Sequence, residues 1–164
     1  MSIHDILAAL NAAITTAAQS IGGKNFSRKS ALTAEAVIRL LISAEGGCLA
    51  KILHTAGLNV TASALSQRRA QIPSKVFRSV FDDFNSACED NDLFRDYRLL
   101  AVDGTAVNLP RNPTSPSFVQ NEGIPKGVNQ LHVTPLYDIL SRTFADLVVS
   151  LSRRKTKSAH WWKC

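Results

Sequence analysis

Tyr97-Arg98-Leu99-Leu100-Ala101-Val102-Asp103-Gly104-Thr105-Ala106-Val107-Asn108-Leu109 marks the place where the chain changes its period. Tyr97 to Val102 is a short apolar run, and Thr105 to Leu109 resumes it beyond Asp103-Gly104. Short apolar runs bounded by turn residues read as strands. Upstream the spacing is different. Val76, Phe77, Val80, Phe81, Phe84 and Cys88 recur every three or four residues, the mark of one face of a helix, which Pro73 is well placed to open. The change falls near residue 92. It divides the chain into a helical domain over residues 1–92 and a strand-rich domain over residues 93–151, an α+β fold.

Downstream, residues 111–126 hold Pro113, Pro116, Pro125 and Gly123 with little periodicity and read as a long loop. Leu131 to Leu140 and Thr143 to Leu151 read as two further strands, joined near Ser141-Arg142. Taken locally, Asp103-Gly104 between strand formers is also the signal of a two-residue hairpin.

Toward the amino terminus the periodicity gives four more helices. Ser2 and Asp5 fit a capping box ahead of Ile6, Leu7, Leu10, Ile14, Ala17 and Ile21, and Gly22-Gly23 stops that helix. Thr33 caps a second, short helix with Val37, Ile38, Leu40 and Leu41 on its apolar face. Cys48 to Ala56 is a third, closed by Gly57, and a fourth runs from about Ala62 to Gln71.

Composition bounds the function. With 164 residues, 45% of them hydrophobic and 20% charged, the chain is long enough to bury a core and does not have the make-up of a disordered protein. The stretch Ile6 to Ile21 is interrupted by Asn11, Thr15, Thr16, Gln19 and Ser20 and is too short to span a membrane. His4 and Asp5 stand where a signal peptide would carry basic residues, so a cytoplasmic location without membrane partners is expected. Cys48, Cys88 and Cys164, like the four histidines, are scattered without zinc-ligand spacing. A net charge of +6 favours polyanionic partners, because lysines and arginines that neutralise phosphates release counterions.

The third and fourth helices, with a Gly-containing turn between them, have the size of a helix-turn-helix, whose second helix can enter a major groove. That second helix offers Ser63, Ser66, Gln67, Arg68, Arg69 and Gln71, donors suited to phosphates and base edges. Lys24, Arg28 and Lys29 in the earlier connector add further phosphate contacts. The same residues would also suit an ordinary helical hairpin with a polar outer face and a solvated linker.

Several motifs in order narrow the choice. Tyr97 to Thr105, Asn108-Leu-Pro-Arg-Asn-Pro113, Lys126-Gly-Val-Asn-Gln-Leu-His132 and Leu136 to Asp146 resemble insertion-sequence transposases of the DDE class, specifically the family numbered four. Phe26-Ser-Arg-Lys29, Leu32-Thr33 and Ala62 to Ala70 resemble that family's amino-terminal region, so the resemblance runs from about residue 24 to residue 151. It implies a ribonuclease-H-like catalytic domain, of which residues 93–151 would supply the first three antiparallel strands. Asp103 would match the first of three carboxylates that hold two Mg²⁺ or Mn²⁺ ions, hard cations that prefer such oxygens. The second Asp and a Glu in a Tyr-x-x-x-x-x-x-Glu-x-x-Lys type motif do not follow. Asp138 and Asp146 match non-catalytic strand positions, and neither metal ion is expected to bind stably.

Beyond Leu151 the resemblance fades into the basic stretch Ser152 to Lys157 and a tail with both tryptophans, Trp161 and Trp162. A transposase truncated by a frameshift or early stop is the expectation here, with residues 152–164 an aberrant basic tail. The resemblance implies a nucleoid-associated protein whose partners are double-stranded DNA at transposon ends, and intact transposase or further copies of itself. It implies no strand transfer by this chain alone. The alternatives are an active metal-dependent nuclease or transposase completed by a partner subunit, and an inert fragment.

Overall fold

The computed structural model describes residues 1–21, 26, 30–44, 47–88 and 92–151. The chain forms two compact units, Met1–Glu89 and Asp90–Cys164, the first helical and the second a sheet, and the expected α+β class holds.

Helix α1 (Ile3–Ser20) starts at a complete capping box. The Ser2 hydroxyl accepts the Asp5 N–H at 3.2 Å, and Asp5 accepts the Ser2 N–H at 3.0 Å, so two otherwise unpaired backbone donors are satisfied. Thr33 caps α2 (Ala34–Ile42) in the same manner through the Ala36 N–H. Helices α3 (Leu49–Thr55), α4 (Ala62–Ala70) and α5 (Lys75–Cys88) complete the unit. Their apolar faces meet in one core of Ala13, Ile14 and Ala17, Leu32, Val37, Ile38 and Leu40, Leu53, Leu65, and Ile72, Val76 and Val80. Each large aliphatic chain so buried contributes about 1.5–3 kcal/mol against the entropy of ordering the backbone.

The turn from α3 to α4 is set by one glycine. Gly57 lies at φ +66°, the Leu58 N–H reaches Leu53 O at 3.0 Å and the Gly57 N–H reaches His54 O at 3.0 Å, the paired bonds of a Schellman ending. Leu58 and Val60 pack against the core, and Thr61 then caps α4 through the Ala64 N–H.

The second unit is an antiparallel sheet of β1 (Leu100–Val102), β2 (Thr105–Leu109), β3 (Phe118–Asn121), β4 (Ile124–Asp138) and β5 (Thr143–Leu151). Strand β4 is its spine. Along one side, Leu100 pairs with Asp138 and Leu109 with Asn129 in a single unbroken register, so β1 and β2 are one run interrupted only at Asp103-Gly104. The local hairpin signal of Asp103-Gly104, which the surrounding motifs already overruled, is not realised, because both flanks pair with the same strand in the same direction. The cause of the gap lies across from it. The Ile139 N–H bonds to Leu99 O, and alternation places the N–H of residue 135 toward Asp103, where Pro135 has none to give.

Along the other side of β4 lie β5, paired from Leu131 to Asp138, and β3, paired from Ile124 to Asn129. Residues 111–126 are thus not one long loop, since they contain β3, a turn at Glu122-Gly123 and the start of β4. Proline misled the reading. Pro125 lies beyond the last β2 pair, on the side of β4 where no described strand needs its missing donor.

No apolar side chain described between Asp92 and Leu151 is buried. The buried side chains there are Ser117, Asn129 and Asp138. Asn129 ties the Asn112–Ser117 loop to the sheet: its amide oxygen accepts the Asn112 N–H at 2.6 Å, and its NH₂ donates to Asn112 O and Ser117 Oγ, both at 2.9 Å. Among the described residues, no helix is long and apolar enough to cross a membrane.

Candidate functional site

Helix α4 is held by its inner face. Leu65 is fully buried and anchors it, while residues one or two positions from it turn to the other side of the helix: Ser63, Ser66 and Gln67 are exposed. Arg69, near the carboxy-terminal end, and Gln71, the C-cap, are exposed as well. Five of the six expected donors on this helix therefore reach solvent.

Arg68 is placed differently. It is half-buried, with its guanidinium over the Phe26 ring at 5.0 Å and a hydrogen bond from Nη1 to Gln71 Oε1 at 3.2 Å. Such stacking orders the cation and leaves Arg68 serving to fix α4 as much as to meet a ligand. Lys24, Arg28 and Lys29 lie outside the described residues.

Charge is distributed unevenly between the parts. Residues 1–89 carry nine lysines and arginines against six acidic residues, residues 90–151 five against seven, and residues 152–164 five against none. A polyanion is attracted to the helical half and the tail, and mildly repelled by the sheet.

Asp103 is exposed at the break between β1 and β2, where its Oδ1 accepts the Gly104 N–H at 2.7 Å. Its neighbours on the strand are ordered by a close approach. A Cβ at Gly104 would lie 2.7 Å from both Cε1 and Nε2 of His132, so any larger residue there would push that imidazole aside. The unbroken register puts the Asp103 side chain on the sheet face of Pro135 and Leu147, and the side chains of Asp138 and Asp146 on the opposite face.

Both other carboxylates are also engaged. Burial by itself raises the pKa of Asp138, but the Arg98 guanidinium and the N–H groups of Ser141 and Leu140 outweigh it and hold the carboxyl below its ordinary value. It thereby locks the turn from β4 to β5. Asp146 Oδ1 accepts the Leu147 N–H at 2.6 Å beside a bulge. A pair of divalent ions needs several carboxylates converging on one point. Asp138 and Asp146 lie on the sheet face opposite Asp103, and the described residues include no group of three metal-ligating side chains, so they do not fit a two-metal centre.

No family model, curated protein or solved structure matches this chain.

Sequence reasoning missed Arg98, Asn129 and His132 as organising residues. An Arg forty positions before its Asp partner has no local signal. The Asp-Gly pair did carry one for His132, since a glycine within a strand often marks a close approach.

Proposed function

We propose that this chain is a DNA-binding protein of the DDE transposase kind, which grips duplex DNA with its helical unit and does not transfer strands by itself. The observation that carries the reading is the set of exposed donors on α4: Ser63, Ser66 and Gln67 on the face turned away from the buried Leu65, and Arg69 exposed at the last turn, on a helix also held by Arg68 over Phe26. Serine and arginine suit phosphates, and glutamine and arginine can read base edges in a major groove. The basic balance of residues 1–89 supports the same partner. The order of motifs from Phe26 to Asp146 supports transposon ends as its source.

A gel-shift series with duplex DNA at rising salt tests this. Three or four phosphate contacts imply a loss of roughly 40- to 150-fold in affinity between about 50 and 200 mM salt. Arg69→Ala flattens the salt slope by about one contact, while Gln67→Ala lowers discrimination between sequences. Arg68→Ala weakens binding by loosening α4. Absence of DNA affinity at low salt sinks the proposal.

The exposed position of Asp103, with Asp138 and Asp146 on the opposite sheet face, favours a second reading: an enzyme whose remaining carboxylates come from outside residues 1–151. Cleavage of DNA with Mg²⁺ or Mn²⁺ that disappears in Asp103→Asn would establish that reading in place of the first.

A further inference from the structure

The donors of α4 differ in where they leave the helix and in what already occupies them. Each helical residue is turned by roughly 100° from the last. Gln67, two residues beyond the buried Leu65, therefore leaves α4 on the side opposite the core, whereas Arg69, four residues beyond, leaves it on a flank next to Leu65. Gln71 at the C-cap has its Oε1 taken by Arg68 Nη1 at 3.2 Å, and Arg68 is itself stacked on Phe26. Among the described residues nothing bonds to the Gln67 amide. Its neighbours on the same face, Ser63 one turn before it and Ala70 one turn after, are exposed and shorter. Gln67 is thus the longest side chain on the outward face, with both amide atoms open to a ligand.

Resting on the reading of α4 as a major-groove helix, we infer that Gln67 is the residue that sets base choice and that it selects an A·T pair in the bound duplex. A side-chain amide matches adenine with two bonds at once, Nε2 donating to N7 and Oε1 accepting from N6–H. Guanine presents two acceptors at the same places, N7 and O6, so one bond is lost and the amide oxygen faces a base oxygen. The hydroxyls of Ser63 and Ser66 donate or accept with equal ease and do not discriminate. Arginine is the residue type that reads guanine, but Arg69 lies on the flank of α4, where it meets a phosphate bordering the groove. Two roles are thereby divided on one helix: Arg69 supplies affinity, and Gln67 the choice of base.

Selection of bound duplexes from a pool with a random central segment, followed by sequencing, tests this with the full chain as wild type and as Gln67→Ala. Wild type enriches a site with a required A·T pair, and Gln67→Ala becomes indifferent at that pair while keeping its preferences elsewhere in the site. In the enriched site, exchanging that pair for G·C weakens wild type by roughly 5- to 150-fold. Replacing its adenine by 7-deazaadenine, which lacks only the N7 acceptor, weakens wild type several-fold, and this arm needs no variant to fold. Neither exchange weakens Gln67→Ala, and Arg69→Ala lowers affinity about equally for all of these duplexes. Duplex binding without an enriched sequence, preferences that Gln67→Ala leaves intact, relaxation at a G·C pair, or indifference of wild type to 7-deazaadenine overturns the inference while leaving DNA binding by α4 in place. Absence of duplex affinity at low salt removes both.

Discussion

The two units of this chain solve the burial problem in opposite ways. Five helices enclose a core that holds twelve buried apolar residues among the described ones, Val37, Ile38 and Leu65 with no exposure at all. The sheet, with longer ladders and more pairing, buries no apolar side chain among its described residues and keeps its inside places for Ser117, Asn129 and Asp138. Hydrogen bonds define a shape, but each adds only about 1 kcal/mol net, whereas a filled core adds several times that per large residue. The helical unit is thus stable on its own terms and suited to hold a binding face rigid. The sheet is ordered by its ladder and polar clamps, and retains apolar surface, such as Val149 at 54% exposure, for something else to cover.

The widest break in this comparison comes from the core. Leu65→Ala or Ile38→Ala should destabilise the helical unit by about 2–5 kcal/mol, read as a lower urea midpoint by ellipticity at 222 nm. Both tyrosines, Tyr97 and Tyr137, lie in the sheet unit, so second-derivative tyrosine absorbance follows that unit in the same titration. It should move far less.

A smaller effect separates the units by pH. The folded-state pKa of Asp138 is depressed, so its stabilisation is complete above the unfolded value near ~3.9 and is lost as pH falls through the lower folded value. Acid should loosen the tyrosine signal below about pH 4 in a step that Asp138→Asn abolishes. The same substitution costs the sheet about 1.5–3 kcal/mol at neutral pH, the worth of hydrogen bonds to a charged group.

How much of this could be read from the chain depends on the range of the forces. All five helices were legible, because caps such as Ser2 and Thr33 and the spacing of Val76, Val80 and Phe84 are local signals. Strands β4 and β5 were legible in their apolar halves. Strand β3 and the first part of β4 were not, because Pro125 argues against a strand unless one knows that its missing donor faces an unpaired side. The local residues at Asp103-Gly104 point to a hairpin, which only the wider motifs overrule, and the cause of the break is out of local reach: it is imposed by Pro135, thirty-two positions later. On α4 the donor row was visible, but the commitment of Arg68 to Phe26 was not, since ring stacking between distant segments leaves no periodic trace.

Gly57→Ala should cost the helical unit about 1–2 kcal/mol, the penalty of a Cβ at positive φ, and should weaken DNA binding by tilting α4. Thermal melting compared with gel shift distinguishes the two effects. At the small end, Val149→Thr on the open sheet should change stability by less than about 0.5 kcal/mol by the same urea titration. A large loss there would mean that the sheet face is covered.

Amide hydrogen exchange of the whole chain, with and without duplex DNA at low salt, tests the central claim most directly. The account predicts slow exchange in α1, α2 and α5, fast exchange in β1, β2 and β5, and added protection on DNA binding concentrated in α4 and its Gly57 turn. Equal protection of the sheet and the helices, or DNA protection that falls on β1 and β2 instead of α4, would contradict it.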